Sequence, residues 1–284
     1  MKKINEFKTE EDMLELLDDE LANQYREKIK EFKQIYSFMR NRLPVATIPN
    51  TVFVTPDSEI AFDEIRKSYK ESDLYKSYNN PQDLCIIALY LIYQYSNHQI
   101  PTDIPNNILN KFCFRDLFIT VQGFSLVTEA WINPLVDILK GKKVVELFAG
   151  LGTITKSLKD RGIDIIATDT NEWTNSSHAF TANRKWCDIE ELDAVNAIDK
   201  YKDADYFIIS WCPYTSEASY EALVKMREVN PNARLIHIGE PYGGCTDSDI
   251  FFENVEYIDD KSFSEVISNF KSWDGIHDDI MICK

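Results

Sequence analysis

The sequence predicts an α/β protein, a mostly parallel sheet with helices on both faces, preceded by an all-α N-terminal domain. Three observations predict it. Short apolar runs alternate with amphipathic stretches only after about residue 125. Before that point apolar residues recur every three or four positions. A glycine pair, Gly150 and Gly152, follows the first apolar run and opens the next helix. Strands that alternate with helices are joined by long crossovers and so lie parallel. A chain of 284 residues suits two domains. The boundary is placed so that 1–124 is a helical cap or substrate-selecting domain and 125–284 the sheet domain.

Each element has its own signal. Leu14, Leu17, Leu21, Tyr25, Ile29, Phe32, Ile35, Tyr36 and Met39 give 10–42 one apolar stripe, the mark of an amphipathic helix. Pro44 and Pro49 bracket a loop, and 57–78 can form a second helix. Asn80-Pro81 opens 83–95, apolar around most of its circumference and therefore buried. A short helix follows Pro105. Ser125 is a plausible N-cap for a helix over 126–140, which Gly141 stops. The expected strands are 143–148, 163–168, 186–192, 206–210, 234–238, 255–258 and 279–283. The expected helices between them are 154–161, 219–229 and 262–270.

Composition narrows the functions. A net charge of -16 repels phosphate backbones and anionic headgroups, which disfavours duplex nucleic acid and membrane surfaces. Lys140, Lys142 and Lys143 form a small cluster that reads as a solvated helix end. The cysteines, at 85, 113, 187, 212, 245 and 283, show no C-x-x-C spacing and suit a reducing compartment, expected to be the cytoplasm. Cys85 and Cys113 read as buried thiols. His98, His178, His237 and His277 are scattered, His237 reads as a core residue, and no metal site is expected. No segment reaches the ~18 apolar residues of a membrane helix.

The segment 144–153, VVELFAGLGT, carries the functional argument. It is a strand, a glycine turn and a helix start. Glycine can take backbone angles closed to other residues and lets a ligand approach the main chain. Seventeen residues after Gly152, the next strand delivers Asp169, whose carboxylate can accept both hydroxyls of a ribose. A dinucleotide site would prefer a third glycine where Thr155 stands, and it does not require the preceding Glu146.

This segment resembles the class I S-adenosylmethionine-dependent methyltransferases, with their Rossmann-like fold. Their first motif, (D/E)-x-x-x-G-x-G, is matched by Glu146, Gly150 and Gly152, with Phe148 and Ala149 inside it. Their acidic residue at the end of the second strand is matched by Asp169, followed by Thr170. The resemblance spans about residue 126 to the C-terminus. It implies S-adenosylmethionine as cofactor and says nothing of the acceptor, for which the acidic surface favours a small molecule or a protein. Asp193-Ala194 matches the adenine-contacting position best, with Asp188 as competitor.

The fourth strand ends in Ser210-Trp211-Cys212-Pro213-Tyr214. Amino-group methyltransferases carry (D/N/S)-P-P-(Y/F) there, and only Pro213-Tyr214 matches, so an amino-nitrogen target stays open. Ser210, Tyr214 and, after the fifth strand, Glu240 are the expected acceptor-facing residues, with Ser210 also beside the cofactor. Alternatively these loops are packed turns, and Glu240 to Gly244 a tight bend. Phe148 to Gly152, Cys212-Pro213 and Glu253 to Val255 together echo cytosine-C5 methyltransferases. The Pro-Cys order is reversed, however, and no DNA-reading domain has room. Residues 122–125 are expected near the cofactor. A non-catalytic module that keeps the cofactor fold and serves a partner is the competing class.

Overall fold

A computed structural model of the chain describes residues 91, 95, 98–110, 115, 118–119, 121–172, 185–242 and 244–284, with the side chain of residue 107 left aside. The helices expected over 10–42 and 57–78, most of 83–95, and Cys85, Cys113 and His178 lie outside the described residues. The chain divides into two compact units, Met1–Phe118 and Ile119–Lys284. In the first, Asn106–Leu109 forms one helical turn after Pro105, and Ile104 and Ile108 are buried.

The second unit holds helix α1 (Glu129–Leu139), then strand β1 (Lys143–Leu147), α2 (Thr153–Lys159) and β2 (Asp164–Asp169). Strand β3 (Glu190–Glu191), α3 (Ala194–Lys200), β4 (Tyr206–Ser210) and α4 (Ala218–Val229) follow. It ends with β5 (Arg234–Gly239), α5 (Asp249–Asn254), a 3-10 turn (Lys261–Phe263), α6 (Ser264–Asn269) and β6 (Asp279–Cys283). The sheet order is β3-β2-β1-β4-β5-β6, parallel except for β6, which pairs antiparallel with β5. This is a Rossmann-like fold.

The strands alternate sides, so their two faces can be read separately. Val145, Leu147, Phe207, Ile209 and Leu235 pack with residues of α3, α4 and α5 in one core. Val144, Ile208, Ile236 and Ile238 on the opposite side are buried as well. A sheet covered on both sides needs continuous apolar strands, which is why its strands read as unbroken runs.

Pro134 lies inside α1 and has no N–H to give the carbonyl of Ala130. The Asn269 side chain at the end of α6 donates to that carbonyl at 3.0 Å instead. Trp131, fully buried, donates its indole N–H to Leu126 O at 2.9 Å and packs edge-on against Phe270.

Three expectations need correction. The N-cap of α1 is Thr128, because the Gln122 side chain holds the Val127 amide at 3.2 Å and keeps that stretch out of the helix. The strand expected over 186–192 shrinks to two residues. Trp186 instead donates its indole N–H to Val121 O at 2.6 Å, which carries the chain away from the sheet. Residues 255–258 make only one bridge, Tyr257 to Cys283, before Asp260 caps the 3-10 turn. At the surface, Lys142 pairs with Asp205 at 3.6 Å and Lys143 with Asp203. Among the described residues no helix is long and apolar enough to cross a membrane, and no group of His, Cys, Asp and Glu is arranged to hold a metal.

Candidate functional site

The chain runs outward from β1 to β2 and β3, then returns across the sheet to β4. The strand order therefore reverses between β1 and β4, and a crevice opens beyond their C-terminal ends. A cavity of about 530 Å³ occupies that crevice, a size ordinary for a small-molecule site. Its wall includes Glu146, Phe148, Ala149, Gly150, Asp169, Thr170, Asp193, Ala194 and Ser210.

Backbone strain marks the strand tips. Phe148, one residue past β1, has φ 56°, Trp211, one past β4, has φ 56°, and Asn171 past β2 has φ 61°. Side chains other than glycine seldom adopt such angles, and they gather at functional sites. Gly150 at φ 53° and Gly152 at φ 75° complete the turn. The two glycines differ in surroundings. A Cβ on Gly150 would meet open space, whereas one on Gly152 would sit 2.8 Å from Cys187 Sγ. Gly152 is not part of the cavity wall, and its missing side chain allows close packing of the turn against Cys187.

Two buried carboxylates face the cavity from adjacent strands. Glu146 Oε2 accepts from Thr155 N at 2.9 Å and Thr155 Oγ1 at 2.5 Å. Burial pushes its carboxyl up to about 7 against those two bonds, and the nearby Asp169 charge adds to the rise. Asp169 Oδ2 accepts from Gly150 N at 2.8 Å and Oδ1 from Asn171 N at 2.6 Å. Asp169 thus ties the tip of β2 to the glycine turn after β1. Asp193 caps α3, its Oδ1 accepting from Asn196 N at 2.9 Å, and that amide above all holds its carboxyl below the usual range. Asp188 is absent from the wall.

The β4 and β5 tips behave differently. Ser210 Oγ lies 2.5 Å from Ser125 Oγ, and the Trp211 ring stacks on Phe124 with centroids 5.4 Å apart. Trp211 Nε1 donates to Asp278 Oδ2 at 3.0 Å. Cys212 lines the cavity, but burial pushes its thiol up to about 12 and keeps it a thiol. Tyr214 is 59% exposed and outside the wall. Glu240 is also outside it. Its carboxylate accepts from the amides of Cys245 at 2.8 Å and His277 at 2.9 Å. Burial raises its pKa, but those amides more than offset the rise and leave it below the usual value. Glu240 thus braces the loop that follows β5, and Tyr214 faces solvent.

Sequence reasoning missed Glu172, Leu192 and Glu221 in the wall. It also gave no role to the Gln122 side chain, which lines the cavity at 2% exposure. His237, the expected core residue, is buried in β5 with Nε2 2.7 Å from Asp247 Oδ2.

No protein-family model and no curated protein matches the chain. Solved structures do resemble it in fold. TrmN from Thermus thermophilus matches at 12% identity over 54% of this chain and 47% of its own, TM-score 0.35. TehB from Haemophilus influenzae matches at 14% identity over 60% of this chain and 66% of its own, TM-score 0.34. Human N-acetylserotonin methyltransferase, solved with SAM, matches at 13% identity over 75% and 73%, TM-score 0.38. The chain thus spans about half of the first of these proteins and about two thirds of the second. Its strand order and the crevice at the reversal point, rather than these likenesses, assign the described unit to the Rossmann-like α/β class.

Proposed function

We propose that the second unit binds S-adenosylmethionine and transfers its methyl group to a small molecule or a protein. The observation that carries this reading is the charge of the cavity wall. Buried Glu146 and Asp169 converge on it from adjacent strand tips, and its described wall contains no Lys, Arg or His. A dinucleotide's pyrophosphate would meet the amides of the glycine turn alone, with Thr155 where its third glycine belongs and two carboxylates beside it. A cationic nucleoside suits the same wall. Asp169 holds the ribose hydroxyls, Gly150 lets the ligand approach the main chain, and Asp193-Ala194 borders the base.

Bound there, S-adenosylmethionine supplies an already activated methyl group. The protein's own task is alignment and exclusion of water, which Phe148, Leu151, Phe124 and Trp211 serve at the wall. Titration calorimetry tests the reading. S-adenosylmethionine and S-adenosylhomocysteine bind and NAD does not; the reverse order ends it.

Tyr214, outside the wall, favours the second reading, a non-catalytic cofactor-fold module acting as a partner subunit. Cofactor binding with no release of S-adenosylhomocysteine from any acceptor pool is the outcome that selects it.

A further inference from the structure

The cavity holds more chemistry than a nucleoside uses. The Gln122 Oε1 accepts from Val127 N at 3.2 Å, while its Nε2 is buried without a hydrogen-bond partner. A buried donor left unpaired costs about 1–3 kcal/mol, which a ligand oxygen would recover. Beyond the two buried carboxylates, Glu172, Asp193 and Glu221 also line the cavity, with no cationic side chain among its described residues. S-adenosylmethionine carries only about one net positive charge at neutral pH, from its sulfonium, ammonium and carboxylate. Asp169, Glu172, Asp193 and Glu221 therefore leave the wall acidic once the cofactor is in place.

The acceptor side has its own character. Glu221 on α4 lines the cavity on the β4 side, with Ser210 to Pro213, Thr215 and Ser216. The stacked rings of Phe124 and Trp211 form the adjoining wall. Aromatic faces attract cations by about 0.5–2 kcal/mol, and carboxylates attract them further. An anionic acceptor would meet repulsion from every charged group present.

Resting on the methyltransferase reading, we propose that the methyl acceptor is a small molecule bearing a basic amine, drawn in by Glu221 and held against Phe124 and Trp211. The ammonium first gives a proton to water. The amine nitrogen then forms a bond to the methyl carbon as the sulfur–methyl bond breaks. The bonding pair returns to sulfur, which becomes neutral, and the product is a methylated ammonium. One proton is released overall and charge balances.

The test uses the full chain and a small-molecule extract, below about 1 kDa, of cells that express it. The extract is divided at neutral pH into cation-exchange-retained, anion-exchange-retained and unretained pools. Each pool is assayed for S-adenosylhomocysteine release and for a rise in melting temperature of the S-adenosylhomocysteine complex. The retained cations are expected to give both signals, and Glu221→Lys to raise their KM about tenfold or more while cofactor affinity stays within about twofold. Activity in the anionic or neutral pool overturns the proposal. So does silence in every pool from a protein that binds S-adenosylmethionine, and so does an unchanged KM in Glu221→Lys. Failure to bind S-adenosylmethionine in calorimetry instead defeats the methyltransferase reading itself.

Discussion

The two halves of the sheet use their carboxylates in opposite ways. At the tips of β1 and β2, Glu146 and Asp169 face a cavity, Glu146 held by the Thr155 amide of α2 and Asp169 by the Gly150 amide of the turn after β1. At the tips beyond β4 and β5, Glu240 is turned away from the cavity and binds the amides of Cys245 and His277. The same residue chemistry, a buried carboxylate on backbone N–H groups, serves a ligand in one half and a loop in the other. Motif position alone does not distinguish these roles.

The contrast can be broken most directly at Asp169. Asp169→Ala should weaken S-adenosylmethionine binding by about 100-fold or more in calorimetry, since charge-assisted bonds to hydroxyls and two amides are lost together. Affinity unchanged within a few-fold would move the ribose site elsewhere.

Glu146 provides the next largest effect, through pH. Its folded pKa is about 7, above the usual 4.5. For a raised pKa, its contribution to stability is fully present below about pH 4.5 and is lost as pH rises through about 7. The loss is on the order of 3 kcal/mol. Glu146→Gln should flatten urea stability across that window. A cationic cofactor favours the ionised carboxylate, so its affinity in the parent should rise as pH passes 7. A parent as pH-independent as Glu146→Gln would show that Glu146 is not the titrating group.

Comparing the two glycines sharpens the picture further. Gly152→Ala should cost about 2 kcal/mol, from a left-handed φ plus the approach to Cys187, and Gly150→Ala about 1 kcal/mol, from φ alone. Chemical denaturation measures both, and equal losses would remove Cys187 from the account. The smallest effect belongs to Glu240→Gln. It leaves one of two amides poorly served and should cost about 1 kcal/mol, with cofactor affinity unchanged. A tenfold loss of affinity would bring Glu240 back into the site.

Much of the fold was legible because buried strands read as apolar runs with polar ends. β4 and β6 begin and end where 206–210 and 279–283 predicted, and β1 and β2 lie within a residue. The third strand was not legible. Its apolar Trp186 and Cys187 pack against Val121 and Gly152 instead of joining the sheet, and a local pattern does not show what a side chain will touch. The site divides in the same way. Glu146, Gly150 and Asp169 follow from spacing along one strand-turn-helix unit and the next strand. The 122–125 stretch was expected there too, but Glu172 and Glu221 reach the cavity from separate segments that only the folded chain brings together.

The bond from Asn269 to Ala130 spans 139 positions. It fills the gap that Pro134 leaves in the helix leading to β1, so that helix is completed by a segment far along the chain. A chain cut before Asn269 would leave that carbonyl without this donor.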